Sequence, residues 1–148
     1  MQAFNKALKE AGGKTETLSE VSLEGNKMTK IPSELTAALE GCKNLALLTL
    51  SNCGLESLDG LPKCPLEGID LSNNKYQYVR CRLPDGEFKV LKNYTRLNQL
   101  LVSENNISKI ETLKELGCIK ALSELDASGN PVAEAADYRA TLFEAYFF

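Results

Sequence analysis

The residues best suited to chemistry in this chain are five cysteines and many carboxylates, and histidine is absent. Without histidine the chain lacks the commonest general base and the commonest neutral metal ligand. The cysteines are widely scattered and form no C-x-x-C pair, which does not match zinc-site spacing. They are Cys42, Cys53, Cys64, Cys81 and Cys118. We therefore predict no metal site and no cofactor.

Carboxylates such as Asp70 and Asp126 are of the right type for general acid and base catalysis. Catalysis also needs a pocket, and an open acidic surface does not predict one. The sequence contains neither a phosphate-cradling glycine loop nor a G-x-S-x-G nucleophile elbow. The prediction is that the protein is not an enzyme.

Length and composition narrow the class of protein. The chain has 148 residues, of which 43% are hydrophobic and 25% charged, with a net charge of -3. These values fit one folded domain and exclude both disorder and a generally basic nucleic-acid binder. The sequence starts without a secretory signal and has no membrane-spanning apolar stretch, so the odd number of cysteines is most simply explained by free thiols. We predict a location in the nucleus and cytoplasm, and a monomer.

The strongest signal is an internal repeat. The pattern L-x-x-L-x-L-x-x-N/C-x-L fits five times, with copies that begin at Leu18, Leu45, Leu66, Leu97 and Leu122. Within each copy the alternation predicts a short strand with its leucines on one face. No copy buries its leucines alone, so the copies must stack. The predicted fold is α/β: a right-handed leucine-rich-repeat solenoid with a curved parallel sheet inside and helices or 3-10 turns outside.

The ninth position of each copy, which we call the inner row, carries a small side chain with a hydrogen-bond donor. Such a side chain satisfies buried backbone carbonyls where the chain turns inward. The inner row consists of Asn26, Cys53, Asn74, Asn105 and Asn130. We predict that Cys53 is structural there, and that Cys42 and Cys118 face the core.

The outer connections and the ends are predicted to be helical. Residues 32–41 combine a capping serine, Ser33, with helix formers and a closing glycine, and residues 110–116 are similar. We assign residues 1–148 to one domain: an N-terminal cap over 1–13, five repeats over 18–132 and a C-terminal cap over 133–148. The predicted cap contacts are Phe4, Ala7, Leu8 and Ala11 at one end and Tyr138, Leu142, Phe143 and Tyr146 at the other.

The concave face is predicted from the third, fifth, seventh and eighth positions of each copy. These twenty positions hold six acidic residues and no basic one, although the chain has 17 lysines and arginines. This asymmetry predicts a negative surface that recruits a basic polypeptide, with two leucines as apolar anchors. The alternative is a solvated face without a partner. The predicted contact residues are Glu20, Glu24, Leu47, Asp70, Leu101, Glu104, Glu124 and Asp126.

Residues 75–96 form a basic insert between the third and fourth copies, with six basic and two acidic residues. A turn signal over 84–86 lies between two alternating runs and predicts a small hairpin. Basic residues interleaved with aromatic ones are typical of RNA contacts, although an insert of this kind is more often a surface loop. The residues concerned are Tyr76, Tyr78, Arg80, Arg82, Phe88 and Lys89.

From Leu97 to Phe143 the chain resembles the acidic leucine-rich nuclear phosphoprotein 32 family. The resemblance lies in Leu-Leu-Val-Ser-Glu-Asn-Asn-Ile-Ser-Lys-Ile over 100–110, in the following helix over 111–116, and in Asp-Tyr-Arg over 137–139. It extends to the N-terminal helix and the five repeats. It implies an adaptor that binds histones, influences chromatin acetylation and inhibits protein phosphatase 2A.

Two features depart from that family. Its members continue into a long acidic tail, whereas this sequence stops at Phe148, so we expect the repeat part of a longer protein. Residues 129–132, Gly-Asn-Pro-Val, are closer to the regulatory subunit of protein phosphatase 1 and to the spliceosomal U2 A-prime protein. A phosphatase 1 or RNA-processing scaffold is therefore the alternative, in which the leucines of the concave face should matter more than its charge.

Overall fold

The structure is a computed structural model that describes residues 1–10, 12–74 and 85–147. Within these ranges five three-residue strands form one parallel sheet in sequence order. The strands are β1 (Glu20–Ser22), β2 (Leu47–Thr49), β3 (Gly68–Asp70), β4 (Gln99–Leu101) and β5 (Glu124–Asp126). Equivalent repeat positions pair across every step, for example Glu20 with Leu47 and Leu47 with Gly68. The predicted solenoid and its alignment are confirmed.

The middle residue of each strand points into the core, as the alternation predicts. Val21, Leu48, Ile69 and Leu100 are at most 1% exposed, and Leu125 in the last strand is partly buried. Burying one such side chain contributes about 1.5–3 kcal/mol. The stacked leucines therefore fix the register, since a one-residue slip would turn every one of them outward.

The convex side carries α2 (Ser33–Glu40) and α3 (Ile110–Leu116) near the predicted positions. One detail of α2 differs from the prediction. Pro32 is the N-cap, with its carbonyl accepting hydrogen bonds from the N–H groups of Leu35 and Thr36 at 3.0 Å each, and Ser33 makes no capping bond. Proline suits this junction because its fixed φ fits the residue that enters a helix and it has no N–H to satisfy.

The predicted hairpin in the basic insert is wrong in its second arm, where residues Asp85–Asn93 form a 3-10 helix. Phe88 and Leu91 are 1% and 0% exposed, and this helix packs against α3. The spacing of three between these residues places them on one side of a 3-10 helix, which explains the outcome. The first arm, with Tyr76, Tyr78, Arg80 and Arg82, lies outside the described residues.

The N-terminal end is closed by α1 (Gln2–Glu10). Phe4 is buried in the core, and Ala7 and Leu8 pack against it, as predicted, while Ala11 lies outside the described residues. The helix ends at two glycines with φ of 77°, and the Gly13 N–H donates to the Leu8 carbonyl at 2.8 Å. Glycine is required here because other residues rarely adopt this conformation.

The C-terminal helix α4 (Tyr138–Phe147) begins later than predicted, since Pro131–Glu134 first forms a 3-10 helix. Tyr138 and Leu142 pack against the core as predicted. Phe143 is 55% exposed, so its predicted core contact is wrong. One residue advances about 100° around a helix, which turns Phe143 away from the stripe of Tyr138 and Leu142. The side chain of Tyr146 is outside the described part.

None of the described helices has the length and apolar character needed to span a bilayer.

Candidate protein-binding face

The first and last residues of each strand project from the concave side of the sheet, opposite the buried middle residues. The first residues are Glu20, Leu47, Gly68, Gln99 and Glu124, and the last are Ser22, Thr49, Asp70, Leu101 and Asp126. Neighbouring strands lie about 4.8 Å apart, so the face is roughly 19 Å wide from β1 to β5. The structure therefore brings together six of the eight predicted contact residues on one surface.

The other two predicted contacts, Glu24 and Glu104, lie in the turns that follow β1 and β4, and both are exposed. Glu20 and Glu124 are exposed at opposite edges of the face, while Asp70 and Asp126 are partly buried. Glu124 accepts a hydrogen bond from the Gln99 amide at 2.9 Å. The carboxylates thus spread along the whole width of the face.

Asp70 and Asp126 also have a structural role that the sequence analysis missed. In each case one carboxylate oxygen accepts a hydrogen bond from the backbone N–H two residues later, at 2.8 Å from Ser72 and 3.0 Å from Ser128. This turn is a common preference of aspartate. The shared spacing Asp-x-Ser was the signal that would have revealed it. It leaves the second oxygen of each carboxylate for other contacts.

The eighth position of every copy, which we call the turn row, adopts a left-handed backbone conformation. Its members, with their φ angles, are Gly25 (71°), Asn52 (57°), Asn73 (51°), Glu104 (53°) and Gly129 (67°). Glycine and asparagine tolerate this conformation, whereas for glutamate it costs about 1–2 kcal/mol. Glu104 is therefore the strained member of the row, and its carboxylate lies against Gly129 of the next repeat.

Side chains link part of the turn row to the acidic face. The Asn73 amide donates to the Asn52 side-chain oxygen, and the Asn52 amide donates to a Glu24 carboxylate oxygen at 3.1 Å. These bonds hold the Glu24 carboxylate in place at the edge of the face. This series of hydrogen bonds could not be predicted from the sequence, because it depends on the distance between stacked repeats.

The two predicted apolar anchors differ in exposure. Leu47 is 40% exposed, whereas Leu101 is partly buried, so Leu101 offers less surface than predicted. Leu47 leans over Gly68, where an added Cβ would lie 2.6 Å from a Leu47 methyl carbon and 3.1 Å from the Gln99 amide oxygen. Gly68 thus makes the room that Leu47 and Gln99 use at the centre of the face.

Below the face lies Asn74 of the inner row, which is 0% exposed and forms hydrogen bonds through both polar atoms of its side chain. Its oxygen accepts from the N–H groups of Cys53 and Leu55 at 3.1 Å each, and its nitrogen donates to the carbonyls of Leu50 and Leu71 at 3.1 and 2.7 Å. One side chain therefore ties two successive repeats together.

Cys53 takes the same place one repeat earlier, and its predicted structural role is supported. Its thiol donates to the Leu23 carbonyl at 3.2 Å. Burial raises the pKa of this thiol to about 11, with smaller contributions from its neighbours. Cys42 is buried as predicted, but Cys118 is exposed, so the prediction that it faces the core is wrong. Cys81 lies outside the described residues.

The parallel sheet, the inner row and the terminal helices define a capped leucine-rich-repeat protein. No family model matches the chain. It is 33% identical over 133 residues to the acidic leucine-rich nuclear phosphoprotein 32-related protein of Plasmodium falciparum, covering 87% of this chain and 44% of that protein. The family member A protein of Drosophila melanogaster is 32% identical, over 88% of this chain and 46% of its own length. These matches confirm the resemblance of this leucine-rich-repeat domain to the acidic leucine-rich nuclear phosphoprotein 32 family.

Two further similarities bear on function. A Tetrahymena thermophila protein that is named as a histone is 28% identical over 81% of this chain and 29% of its own length. A chain of the Drosophila melanogaster SNF/U2A' complex matches with a TM-score of 0.67 and 26% identity, over 86% of this chain and 67% of that chain. This chain spans less than half the length of the curated relatives it matches.

Proposed function

We propose that this chain is a nuclear protein-interaction adaptor whose concave face binds a basic, histone-like polypeptide segment. The observation that carries the proposal is the placement of four carboxylates on the concave side of the strands and of two more in the adjoining turns. None of the equivalent positions holds a lysine or arginine. A negatively charged surface attracts basic partners, which accelerates their association, and repels acidic ones.

The arrangement of the charges favours an extended segment that lies across the strands. Asp70 and Asp126 both end their strands and are two strands apart, about 10 Å. A segment in the extended polyproline II conformation rises about 3.1 Å per residue with three residues per turn. Basic side chains three residues apart therefore lie on one side, about 9 Å apart, and would meet both carboxylates. Between them lies Leu101, which pairs with Asp70 on one side and with Asp126 on the other. The proposed ligand therefore has lysines or arginines three residues apart, with two small or apolar residues between them.

The relatives support a nuclear, chromatin-related role, because they are named acidic nuclear phosphoproteins and one is named as a histone. They are not named for an enzymatic activity, in keeping with a binding function. Regulation of a phosphatase of the 2A type is part of the proposal on the strength of the family resemblance. It would use the same face, so a basic peptide should compete with it.

Neutralising the paired aspartates tests the proposal. The double variant Asp70→Asn and Asp126→Asn removes both charges but keeps an oxygen that accepts the turn hydrogen bond. Binding of a histone H3 tail peptide should weaken about fivefold at low salt, and its dependence on salt should become shallower. Fluorescence anisotropy at several salt concentrations measures both effects.

The matched control neutralises two carboxylates on the convex helices, Glu34→Gln and Glu111→Gln, which lie in the first turns of α2 and α3. This control has the same net charge as the test variant, and its affinity should stay within about twofold of the original. Equal losses in both double variants would mean that net charge alone attracts the peptide, and the concave face would lose its role.

A second candidate is a scaffold for a folded partner, as favoured by the similarity to the SNF/U2A' complex chain. Leu47, at 40% exposure, is the apolar residue that such a partner would cover. For this function, Leu47→Ser should abolish complex formation at any salt concentration, while the aspartate variant should leave it intact. Pull-down with a recombinant partner of the SNF type, with and without RNA, distinguishes the two functions.

A further inference from the structure

The first strand of the sheet has an open edge. Within the described residues β1 pairs with β2 and is the end strand of the sheet. The N–H of Leu47 donates to the Ser19 carbonyl at 3.0 Å, and the N–H of Leu23 donates to the Thr49 carbonyl at 2.8 Å. The odd-numbered residues of this segment therefore point their backbone groups toward β2. Those of Glu20 and Ser22 point away from the sheet.

The outward backbone groups of Glu20 and Ser22 have no hydrogen-bond partner in the part of the chain that the structure describes. A row of unpaired donors and acceptors on a sheet edge is a template for another strand. Natural proteins usually cover or block such an edge. Here the nearest element is α1, which packs against β1.

Between α1 and this edge runs a cleft of about 580 Å³. One side of the cleft is a single helix stripe at spacings of three and four residues: Ala3, Lys6, Ala7 and Glu10. The other side consists of residues 17–20 together with Ser22, Glu24 and Asn26. Two of the four residues on the helix stripe are alanines, and Glu20 and Ser22 of the edge strand are exposed, so the edge is accessible.

Charge selects the occupant of this cleft. Glu20 and Glu24 are exposed on either side of Ser22. A second copy of β1, added antiparallel about Ser22, would set Glu20 of one molecule opposite Glu24 of the other. Like charges placed opposite each other on neighbouring strands are destabilising. A strand with a basic residue at each of these positions gains two favourable pairs instead.

We infer that the outer edge of β1 accepts an extended basic segment of a partner protein as a sixth strand, with lysine or arginine four residues apart opposite Glu20 and Glu24. Residues between the two cations face alternately the concave side and the alanines of α1, so small or β-branched side chains fit there. This site is distinct from the centre of the concave face and goes beyond the function proposed above.

The test uses a labelled peptide, acetyl-Lys-Val-Thr-Val-Lys-amide, whose symmetric pattern suits either strand direction. Its binding should shift the backbone amide NMR signals of Glu20 and Ser22 most strongly. Ser22→Pro removes the outward N–H without touching the bonds to β2, and should weaken binding about five- to tenfold. Circular dichroism and the urea midpoint verify that this variant is folded.

A second variant keeps the inference open to refutation if Ser22→Pro does not fold. Glu20→Gln with Glu24→Gln removes both charges and retains the oxygen that accepts from Asn52, and should weaken binding about fivefold. Asp70→Asn with Asp126→Asn serves as the matched control and should leave this peptide's affinity unchanged. That control separates the edge from the concave face, so failure of one proposal does not imply failure of the other.

Three outcomes would overturn the inference. The first is a peptide that shifts the amides of β3 to β5 instead of those of β1. The second is unchanged affinity in both β1 variants. The third is a dimer in solution, detected by light scattering without peptide and lost in Ser22→Pro, which would assign the edge to a second copy of the chain.

Discussion

Asn73 and Asn74 are consecutive residues of the same type, yet they belong to two different regions of the molecule. Asn73 is an exposed member of the turn row with a left-handed backbone, and its side chain donates to Asn52. Asn74 belongs to the inner row, is fully buried, and makes four hydrogen bonds to main-chain groups of two repeats. The same side chain is a turn former in one row and a cross-repeat connector in the other.

The difference shows how the solenoid divides its tasks. In the inner row, Asn74 and Asn130 each supply both a donor and an acceptor to buried backbone groups, which restricts the choice of residue. In the turn row only the backbone conformation is restricted, and the side chain is left to vary along the surface. Glu104 is the residue in which this freedom adds a charge to the concave face at the cost of a strained backbone.

The largest expected effect comes from alanine at the two asparagines. Asn74→Ala leaves four buried backbone groups without their partner and should lower the free energy of unfolding by about 3–5 kcal/mol. Asn73→Ala loses one exposed hydrogen bond and places alanine in a left-handed conformation, so about 1–2 kcal/mol is expected. Urea unfolding followed by circular dichroism measures both.

Asn73→Gly is the control for backbone strain, and its stability should lie within about 0.5 kcal/mol of the original because glycine accepts the left-handed conformation. If Asn73→Ala and Asn74→Ala lowered the free energy of unfolding by similar amounts, the turn row and the inner row would not have the different roles described above. Among the residues that the structure describes, the inner row also contains one buried side-chain oxygen without a hydrogen-bond partner, Asn105 Oδ1.

A smaller effect is expected from pH at Cys53, the cysteine of the inner row. Burial raises the pKa of its thiol from 9.0 to about 11, so the folded state keeps the proton that the unfolded chain releases near pH 9. The contribution to stability is therefore complete below pH 9 and is lost as pH rises toward 11. Its size is about 2–3 kcal/mol.

Cys53→Ser isolates this contribution because a serine hydroxyl does not ionise in that range. The stability difference between the original chain and Cys53→Ser should shrink between pH 8 and pH 11, as measured by urea unfolding at each pH. The comparison is needed because Cys64 and Tyr94 also have raised pKa values, of about 11 and 12, mainly from burial. A constant difference across the range would contradict a buried, protonated thiol at Cys53.

The smallest effect concerns the turn row. Glu104→Gly relieves the left-handed strain and should raise the free energy of unfolding by about 0.5–1 kcal/mol, since the greater flexibility of glycine in the unfolded chain offsets part of the gain. The same variant should weaken binding of the histone tail peptide, because it removes one of the six carboxylates. Loss of stability in Glu104→Gly would mean that the contact of Glu104 with Gly129 outweighs the strain.

Much of the fold followed from the repeat pattern. Leucines at these fixed spacings can be buried only in a core that the stacked copies share. The strands, their register and the inner row could therefore be predicted from the sequence. The helix over 110–116 was predicted from its helix formers and the glycine that follows it, and the N-terminal cap from apolar residues at three- and four-residue steps. The larger errors fell where the pattern stops: the 3-10 helix over Asp85–Asn93, the exposed Phe143 and the exposed Cys118.

For the candidate site, the sequence by itself determined which residues share the concave face, because strand alternation and the repeat register fix the direction of each side chain. It also determined the sign of the charge there. The tertiary structure alone decided which of these groups are already engaged, as in the turns of Asp70 and Asp126 and the chain from Asn73 to Glu24. It likewise decided that the edge of β1 is open beside α1. These contacts depend on distances between stacked repeats, and such distances arise only when the copies pack together.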